Sequence, residues 1–233
     1  MKLLVSPMSV EEAKATMAGG ADILDVKNPK EGSLGANFPW TIRSVVDLAD
    51  GKVPVSAAIG DFDYKPGTAS LAALGAAVSG ADYIKVGLLG IKTPEQAEDM
   101  LGKVVRSVKD FNKETKLVAA AYADYKRVGS IPPMDLSPVA VSCGVGVIMI
   151  DTAVKDGKTT FEFMNESQLA EFVSAGRESK MEVALAGNIG FGDLELLKRI
   201  SPDIIGVRGA VCGGDRRDGI KEELVRKMKA DLS

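Results

Sequence analysis

The chain has 233 residues, of which 45% are hydrophobic but only 5% aromatic, proportions that fit one domain with an aliphatic core. Its net charge of −3 at pH 7 gives no reason to expect a nucleic acid or an anionic membrane as a partner. It contains no histidine, which excludes Ser-His-Asp and Cys-His catalysis and histidine-based zinc sites.

Short apolar runs alternate with helix-length segments along the whole chain. Apolar runs alone do not separate strand from helix, but their alternation with capped helices favours βα units. Eight such units in one domain, residues 1–233, predict a single (β/α)₈ TIM barrel. The predicted strands are Lys2–Val5, Ile23–Val26, Val53–Ala57, Tyr83–Val86, Lys116–Ala121, Val145–Ile150, Val183–Ala186 and Ile204–Val207.

Several helix starts carry capping signals. Ser9 and Glu12 have the spacing of a capping box. The segment 93–96 offers a threonine cap, a proline at the first helical position and a glutamine at the third. Asp193 is expected to cap a helix over residues 194–200.

A weak internal echo accompanies these junctions. Ala18–Ile23 resembles Val78–Tyr83, and Ser201–Ile204 is a looser third copy. In each, a helix ends at small residues or proline, an aspartate follows, and a strand begins. The chemistry of αβ loops explains the echo fully, so it supports the fold and says nothing of function.

Charged residues cluster at the predicted strand ends, where the active site of a βα barrel lies. Asp25 and Lys27 share one face of the second strand. Lys85 ends the fourth strand, Asp151 ends the sixth, and Lys155 follows in the loop. A desolvated lysine near another cation has a lowered pKa, and its neutral amine can attack a carbonyl. A structural network of salt bridges is the alternative for any one lysine, whereas the whole set favours catalysis.

Glycine-rich segments follow the seventh and eighth strands, the usual phosphate-binding positions of this fold. Their spacing is not that of a dinucleotide-binding loop, and they do not follow the first strand. They predict a phosphate site whose candidate residues are Gly187, Asn188, Gly190, Arg208, Gly209, Gly213, Gly214 and Arg216.

Two further segments allow two interpretations each, and a third offers candidate pocket residues. Residues 27–36 form either a lid, which we favour, or a solvated turn. Residues 60–67 either meet substrate or cover the barrel rim. Tyr122 and Asp124, after the fifth strand, are placed to reach the pocket.

The remaining composition bears on environment and cofactors. The apolar run at the N-terminus is too short for a signal peptide, and no stretch is long enough to span a membrane. Cys143 and Cys212 are too few for a disulfide framework, so a cytoplasmic protein with reduced thiols is expected. No run of carboxylates has metal-loop spacing, and we expect neither a metal nor a cofactor.

Four segments together resemble one family, the (5-formylfuran-3-yl)methyl phosphate synthases of methanofuran biosynthesis. They are Asp25–Ala36, Tyr83–Gly87, Asp151–Gly157 and Ala186-Gly187. The resemblance implies condensation of two glyceraldehyde 3-phosphate molecules to 4-(hydroxymethyl)-2-furancarboxaldehyde phosphate, with loss of water and of one phosphate. It further implies that Lys27 forms a Schiff base, that Lys85 transfers protons, and that Asp25, Asp151 and Lys155 support them.

Other functions on the same scaffold remain open from the residues alone. A sugar-phosphate isomerase or epimerase would use Asp25 and Asp151 as acid and base, without a covalent adduct. A different class I aldolase would share the lysine chemistry, but those enzymes often carry the lysine on the sixth strand, which here ends in Asp151. A non-catalytic sensor would bind triose phosphates without turnover. A homo-oligomer is also possible, as small barrels often associate.

Overall fold

A computed structural model, which describes residues 1–232, shows eight parallel strands closed into a barrel. Each strand pairs with its sequence neighbours, and β8 closes the ring on β1. The predicted TIM barrel is therefore confirmed. The strands are β1 (Lys2–Val5), β2 (Ile23–Val26), β3 (Val55–Asp63), β4 (Tyr83–Gly90), β5 (Lys116–Tyr122), β6 (Val147–Asp151), β7 (Glu182–Leu185) and β8 (Ile204–Val207).

The α-helices lie outside the barrel and connect its strands. They are α1 (Val10–Ala18), α2 (Pro39–Ala49), α3 (Pro66–Val78), α4 (Pro94–Lys109), α5 (Tyr125–Val128), α6 (Leu136–Cys143), α7 (Glu166–Glu178), α8 (Leu194–Ile200) and α9 (Glu222–Asp231). Within residues 1–232, no helix combines the length and the hydropathy needed to cross a membrane.

The predicted helix caps are confirmed at two of three positions. Ser9 accepts from the N–H of Glu12, and Thr93 accepts from the N–H of Gln96. The prediction for Asp193 is wrong in its chemistry. Asp193 does precede α8, but its side chain makes no cap bond and instead accepts the N–H of Gly190 at 2.8 Å.

Strand boundaries differ from prediction mainly in β3 and β4. β3 begins after Pro54 and continues to Asp63, so residues 60–63 belong to the sheet although they were expected in a loop. β4 continues to Gly90, four residues beyond its predicted end. The two strands pair along this extension. Its polar and glycine residues interrupt the apolar run from which a strand is predicted.

The aspartates of the repeated αβ junctions have a shared structural role. The carboxylates of Asp22, Asp82 and Asp203 accept backbone N–H groups of Leu3, Val55 and Val183 respectively, at 2.6–2.9 Å. Each aspartate thereby ties the start of its own strand to the start of the strand beside it. The echo in the sequence is thus explained by the fold.

Side chains alternate between the barrel interior and the layer beneath the helices. The interior core is a compact cluster separate from the larger layer between sheet and helices. It consists of Leu4, Ile23, Leu34, Ala58, Val118, Ala120, Tyr122, Val147, Met149, Ala184, Ala186 and Ile204. Leu34 belongs to no strand, which means that the segment after β2 inserts into the barrel from above.

Candidate active site

A cavity of about 410 Å³ opens at the C-terminal ends of the strands. Its wall is formed by residues of β1, β4, β6 and β8, by residues that directly follow β1 and β2, and by the loops that follow β6, β7 and β8. The lining residues are Leu4, Ser6, Lys27, Lys85, Met149, Asp151, Lys155, Gly157, Ala186, Gly187, Asn188, Ile189, Gly206, Val207, Arg208, Gly209, Gly214, Asp215 and Arg216.

Asp25 and Lys85 form a buried ion pair at the base of this cavity. Lys85 Nζ lies 2.6 Å from Asp25 Oδ2, and their side chains are 1% and 0% exposed. The hydroxyls of Ser6 and Ser56 each donate to the carboxylate at 2.9 Å. Burial opposes the charge on Asp25, but Lys85 and Lys27 outweigh it and lower the pKa of the carboxyl below its usual value. Asp25 is therefore an anion held by three donors.

Lys27 is the residue immediately after β2 and is 7% exposed. Burial, with Lys85 as the next contributor, lowers the pKa of Lys27 from 10.5 to about 7, against the opposing effects of Asp151 and Asp25. Desolvation penalises the ammonium form and a neighbouring cation adds to the penalty. Lys27 thus has a substantial neutral fraction at physiological pH.

Asp151 and Lys155 form a second pair at the end of β6. Lys155 Nζ lies 2.6 Å from Asp151 Oδ1 and also donates to the Thr152 hydroxyl at 3.1 Å. The backbone N–H of Thr152 donates to the same carboxylate oxygen at 2.7 Å. Burial opposes the charge on Asp151, but Lys155 and Lys27 lower the pKa of its carboxyl overall.

The five predicted catalytic residues are therefore brought together at one end of the barrel. They carry two carboxylates and three amines, so the two carboxylates are balanced by Lys85 and Lys155 whichever form Lys27 takes. Within residues 1–232, no group of acidic or cysteine side chains has an arrangement suited to a metal ion.

The predicted phosphate-binding residues are only partly assembled at the cavity. Six of them line it: Gly187, Asn188, Arg208, Gly209, Gly214 and Arg216. Gly190 and Gly213 are not part of the lining, and the N–H of Gly190 is taken by Asp193. Gly187 and Asn188 have positive φ angles of 101° and 55°, a conformation that glycine and asparagine tolerate best.

Arg208 is engaged by the protein itself. Its guanidinium pairs with Glu12 at 2.7 and 3.1 Å and donates to the carbonyl of Ser6 at 2.6 Å. It also donates to the carbonyls of Arg216 and Asp218. Arg208 therefore holds the loop after β8 against the end of β1, and few of its donors are left for a ligand.

Arg216 differs from Arg208 because one of its side-chain donors has no protein partner in the described part of the chain. Its Nη2 is buried but has no hydrogen-bond partner within residues 1–232, and burial lowers the pKa of its guanidinium. An unsatisfied buried donor is costly and commonly marks a missing ligand or water. Of the two predicted arginines, Arg216 is the one with a donor to spare at the cavity.

Tyr122 and Asp124 do not line the cavity, although both were predicted to be in reach. The Tyr122 hydroxyl is buried and donates to Asp61 in a short hydrogen bond. Asp124 accepts the N–H groups of Ala153 and Val154 at 2.7 and 3.0 Å and so shapes the loop after β6. Asp61 was considered only as part of the segment 60–67, which was expected either to meet substrate or to cover the barrel rim.

Ser6, Ser56 and Glu12 also escaped the sequence analysis. Ser56 shares the inward face of β3 with Ala58, and Ser6 follows β1, so period-two alternation was the available signal for both serines. Glu12 was assigned only to a helix cap, and its partner lies 196 residues away. Burial raises the pKa of the Cys212 thiol to about 11, so this cysteine is no candidate nucleophile.

Comparison with known proteins identifies the family. The model of the 4-HFC-P synthase family matches residues 3–229. The chain is 61% identical to the (5-formylfuran-3-yl)methyl phosphate synthase of Methanosarcina acetivorans, with 99% of each chain covered. The chain belongs to this synthase family. The family's enzyme from Methanocaldococcus jannaschii is 54% identical, with 98% of each chain covered. The resemblance inferred from the sequence is confirmed, and the protein is an enzyme of this family.

Solved structures similar to this synthase share its barrel at low sequence identity. The 3-hexulose-6-phosphate synthase from Salmonella typhimurium superposes with a TM-score of 0.67 at 16% identity, covering 100% of this chain and 98% of the other. Phosphoribosyl anthranilate isomerase from Thermus thermophilus gives a TM-score of 0.64 at 17% identity, covering 100% and 98%. At these identities the likeness establishes the fold alone.

Proposed function

We propose that the chain condenses two glyceraldehyde 3-phosphate molecules to 4-(hydroxymethyl)-2-furancarboxaldehyde phosphate through a Schiff base on Lys27. The observation that carries this proposal is the burial of Lys27 beside a second lysine, Lys85, in the wall of the cavity. That burial lowers the pKa of Lys27. At pH 7, a lysine with a pKa of 10.5 is neutral in roughly one molecule in 3000, whereas a pKa of about 7 leaves about half neutral. Only the neutral amine attacks an aldehyde.

The first covalent step follows from that amine. Lys27 Nζ adds to the aldehyde carbon of one substrate, and the carbinolamine expels water to leave an iminium. The iminium withdraws electrons from the adjacent carbon, whose proton is then removed to give an enamine. The enamine carbon attacks the aldehyde of the second substrate, whose oxygen takes up a proton.

Lys85 and Asp25 are placed to handle these protons. Lys85 lines the same cavity as Lys27 and pairs with Asp25 at 2.6 Å. When Lys85 releases its proton, the Asp25 carboxylate keeps the hydrogen bonds from the Ser6 and Ser56 hydroxyls, and it stabilises the ammonium again when the proton returns. Asp151 and Lys155 form a comparable pair on the opposite side, at β6. The remaining steps expel one phosphate, close the ring and release the Lys27 amine, and the whole reaction loses, net, two waters. These steps need proton transfers but no oxidant or reductant.

Two substrate phosphates require two anion sites. The loops after β7 and β8 supply one, with Arg216 Nη2 as a free charged donor and the backbone at Gly187 and Gly209 as its floor. Lys155, in the loop after β6, also lines the cavity and is the candidate for the second. The structure favours Arg216 over Arg208 as the arginine that meets phosphate, because Arg208 is occupied by Glu12 and three carbonyls.

Reductive trapping tests this function directly. The protein is incubated with glyceraldehyde 3-phosphate and borohydride, and the modified peptide is found by mass spectrometry. An adduct on Lys27 supports the proposal, and an adduct on Lys85 exchanges the two lysine roles. No adduct, in protein that turns the substrate over, would refute the Schiff base and favour an isomerase with Asp25 and Asp151 as acid and base.

A further inference from the structure

An irregularity in β3 determines where Asp61 points. Ala58 lies opposite Lys85 of β4, but Asp61 rather than Gly60 lies opposite Gly87. One extra residue is therefore inserted in β3 at Gly60, whose φ is 120°. Since side chains alternate along a strand, a shift of one residue turns the opposite set toward the interior. The bulge thus gives Asp61 the inward direction that Gly60 would have had, a use of bulges that is frequent beside active sites.

The carboxylate of Asp61 joins three parts of the barrel rim. Its Oδ1 accepts the hydroxyl of Tyr122 from β5, and its Oδ2 accepts the N–H of Leu34 at 3.1 Å. The backbone of Gly87 on β4 passes so close that a Cβ there would overlap both Oδ1 and the Tyr122 hydroxyl. Asp61 therefore links β3, β4 and β5 to the segment that follows β2.

That segment, residues 28–37, is anchored at two further points. Leu34 is fully buried in the interior core, and the Ser33 hydroxyl donates to the carbonyl of Thr152 at 2.8 Å. Thr152 in turn donates its N–H to Asp151. The segment thus connects the two halves of the catalytic cluster, and it begins at the residue next to Lys27.

The open cavity and the 28–37 segment occupy different sides of the barrel mouth. The open cavity lies on the side of β6, β7, β8 and β1, and no residue of 28–37 lines it. Leu34, Asp61 and Tyr122 fill the mouth on the side of β2 to β5. Lys27 lines the cavity, and the residue after it begins the segment that leads into this filled half.

We propose that Asp61 is a positioning residue, which fixes the 28–37 segment in the barrel mouth as a permanent wall and so keeps water away from Lys27. The proposal rests on the proposed role of Lys27 as the attacking amine. It replaces the mobile lid expected from the sequence with a segment held by Asp61, Tyr122 and Ser33.

A variant of Asp61 can change the pKa of Lys27 in two ways, through the loss of its charge or through the entry of water. The charged groups that face Lys27 have to be considered to separate these two causes. These groups are Asp25 from β2, Lys85 from β4, Asp151 from β6 and Lys155 from the loop after β6. Asp61→Asn leaves all four in place and removes a negative charge, which by electrostatics alone would lower the pKa of Lys27. Entry of water would raise that pKa toward 10.5. The two causes therefore move the pKa of Lys27 in opposite directions.

The test uses Asp61→Asn and Tyr122→Phe, with Asp63→Asn as the matched control on an exposed position of the same strand. Reductive methylation of Lys27 by formaldehyde and cyanoborohydride, followed by peptide mass spectrometry across pH, reports its pKa without substrate or turnover. We expect the midpoint to rise by about one pH unit in Asp61→Asn, which lowers the neutral fraction of Lys27 at pH 7 about fivefold. We expect kcat at pH 7 to fall about fivefold with KM nearly unchanged, because the phosphate loops follow β7 and β8.

Tyr122→Phe should shift the midpoint in the same direction by less, and Asp63→Asn should not shift it. If Asp61→Asn does not fold, Tyr122→Phe and Ser33→Ala decide the question, since each removes one hydroxyl from the anchor. A Lys27 midpoint that stays at the wild-type value in the folded variants would overturn the proposal. A shifted midpoint without any adduct from glyceraldehyde 3-phosphate would instead refute the Schiff base and leave the positioning role intact.

Discussion

Replacing Lys27 with methionine should make the protein more stable at neutral pH while abolishing its activity. Folding lowers the pKa of Lys27 from 10.5 to about 7, so burying the ammonium opposes folding. Each pKa unit corresponds to about 1.4 kcal/mol, which gives an upper bound of about 5 kcal/mol for this cost. The other two lysines still balance Asp25 and Asp151 in the variant, so no new unpaired charge is created.

The change of this stability gain with pH is a more specific test than the size of the gain at one pH. Below about pH 7, Lys27 is protonated in both states and the full cost is present. Between about pH 7 and pH 10.5 the unfolded chain binds more protons than the folded one, so wild-type stability rises with pH. The advantage of Lys27→Met should therefore shrink by about 2 kcal/mol between pH 7 and pH 9. Packing differences between lysine and methionine cancel in that comparison.

Urea unfolding of wild type and variant at several pH values measures the effect, with the slope m checked for constancy. Lys14→Met, a replacement of an exposed lysine on α1, is the control and should show no such dependence. A stability difference that does not change between pH 7 and pH 9 would show that folding does not lower the pKa of Lys27. The catalytic argument built on its neutral amine would then fail as well.

Three further variants test other parts of the site. Arg216→Met should weaken the binding of inorganic phosphate and raise KM for glyceraldehyde 3-phosphate by about 10- to 100-fold, because a charged hydrogen bond of roughly 1.5–3 kcal/mol is lost. Calorimetry measures the first effect and steady-state kinetics the second. The control Arg217→Met, at an exposed position, should change neither quantity. Glu12→Gln leaves Arg208 without its buried partner and should destabilise the fold by about 3 kcal/mol; an unchanged urea midpoint would contradict the structural role of that pair. Gly87→Ala forces a methyl group against the side chains beneath it and should cost about 1–3 kcal/mol, and a thermal midpoint equal to wild type would show that the rim has room there.

Much of the fold was determined by local sequence patterns. The ends of β1, β2 and β8 agree with the apolar runs that predicted them, because these short strands are buried on both faces and contain little else. The caps at Ser9 and Thr93 were equally local, since each depends on residues within one helical turn. The catalytic set was found because parallel strands of a barrel bring their C-terminal ends together.

Other features were decided only by the tertiary structure. Residue patterns alone did not distinguish Lys27 from Lys85, whose roles were assigned only by the family resemblance. Their physical difference lies in the ion pair that Asp25 makes with Lys85 and in the burial of both lysines. Arg208 resembled a phosphate ligand until its partner, Glu12 on α1, was seen. Register, desolvation and pairing between distant segments depend on which elements pack together, and no local pattern encodes them.

The segment after β2 illustrates the same division. Its polar composition suggested a lid, yet Leu34 is buried in the barrel and Asp61 holds it there through a bulge of one residue in β3. The residue types were visible from the start. The direction of Asp61 was not, because a single inserted residue reverses the alternation, and only strand pairing reveals it.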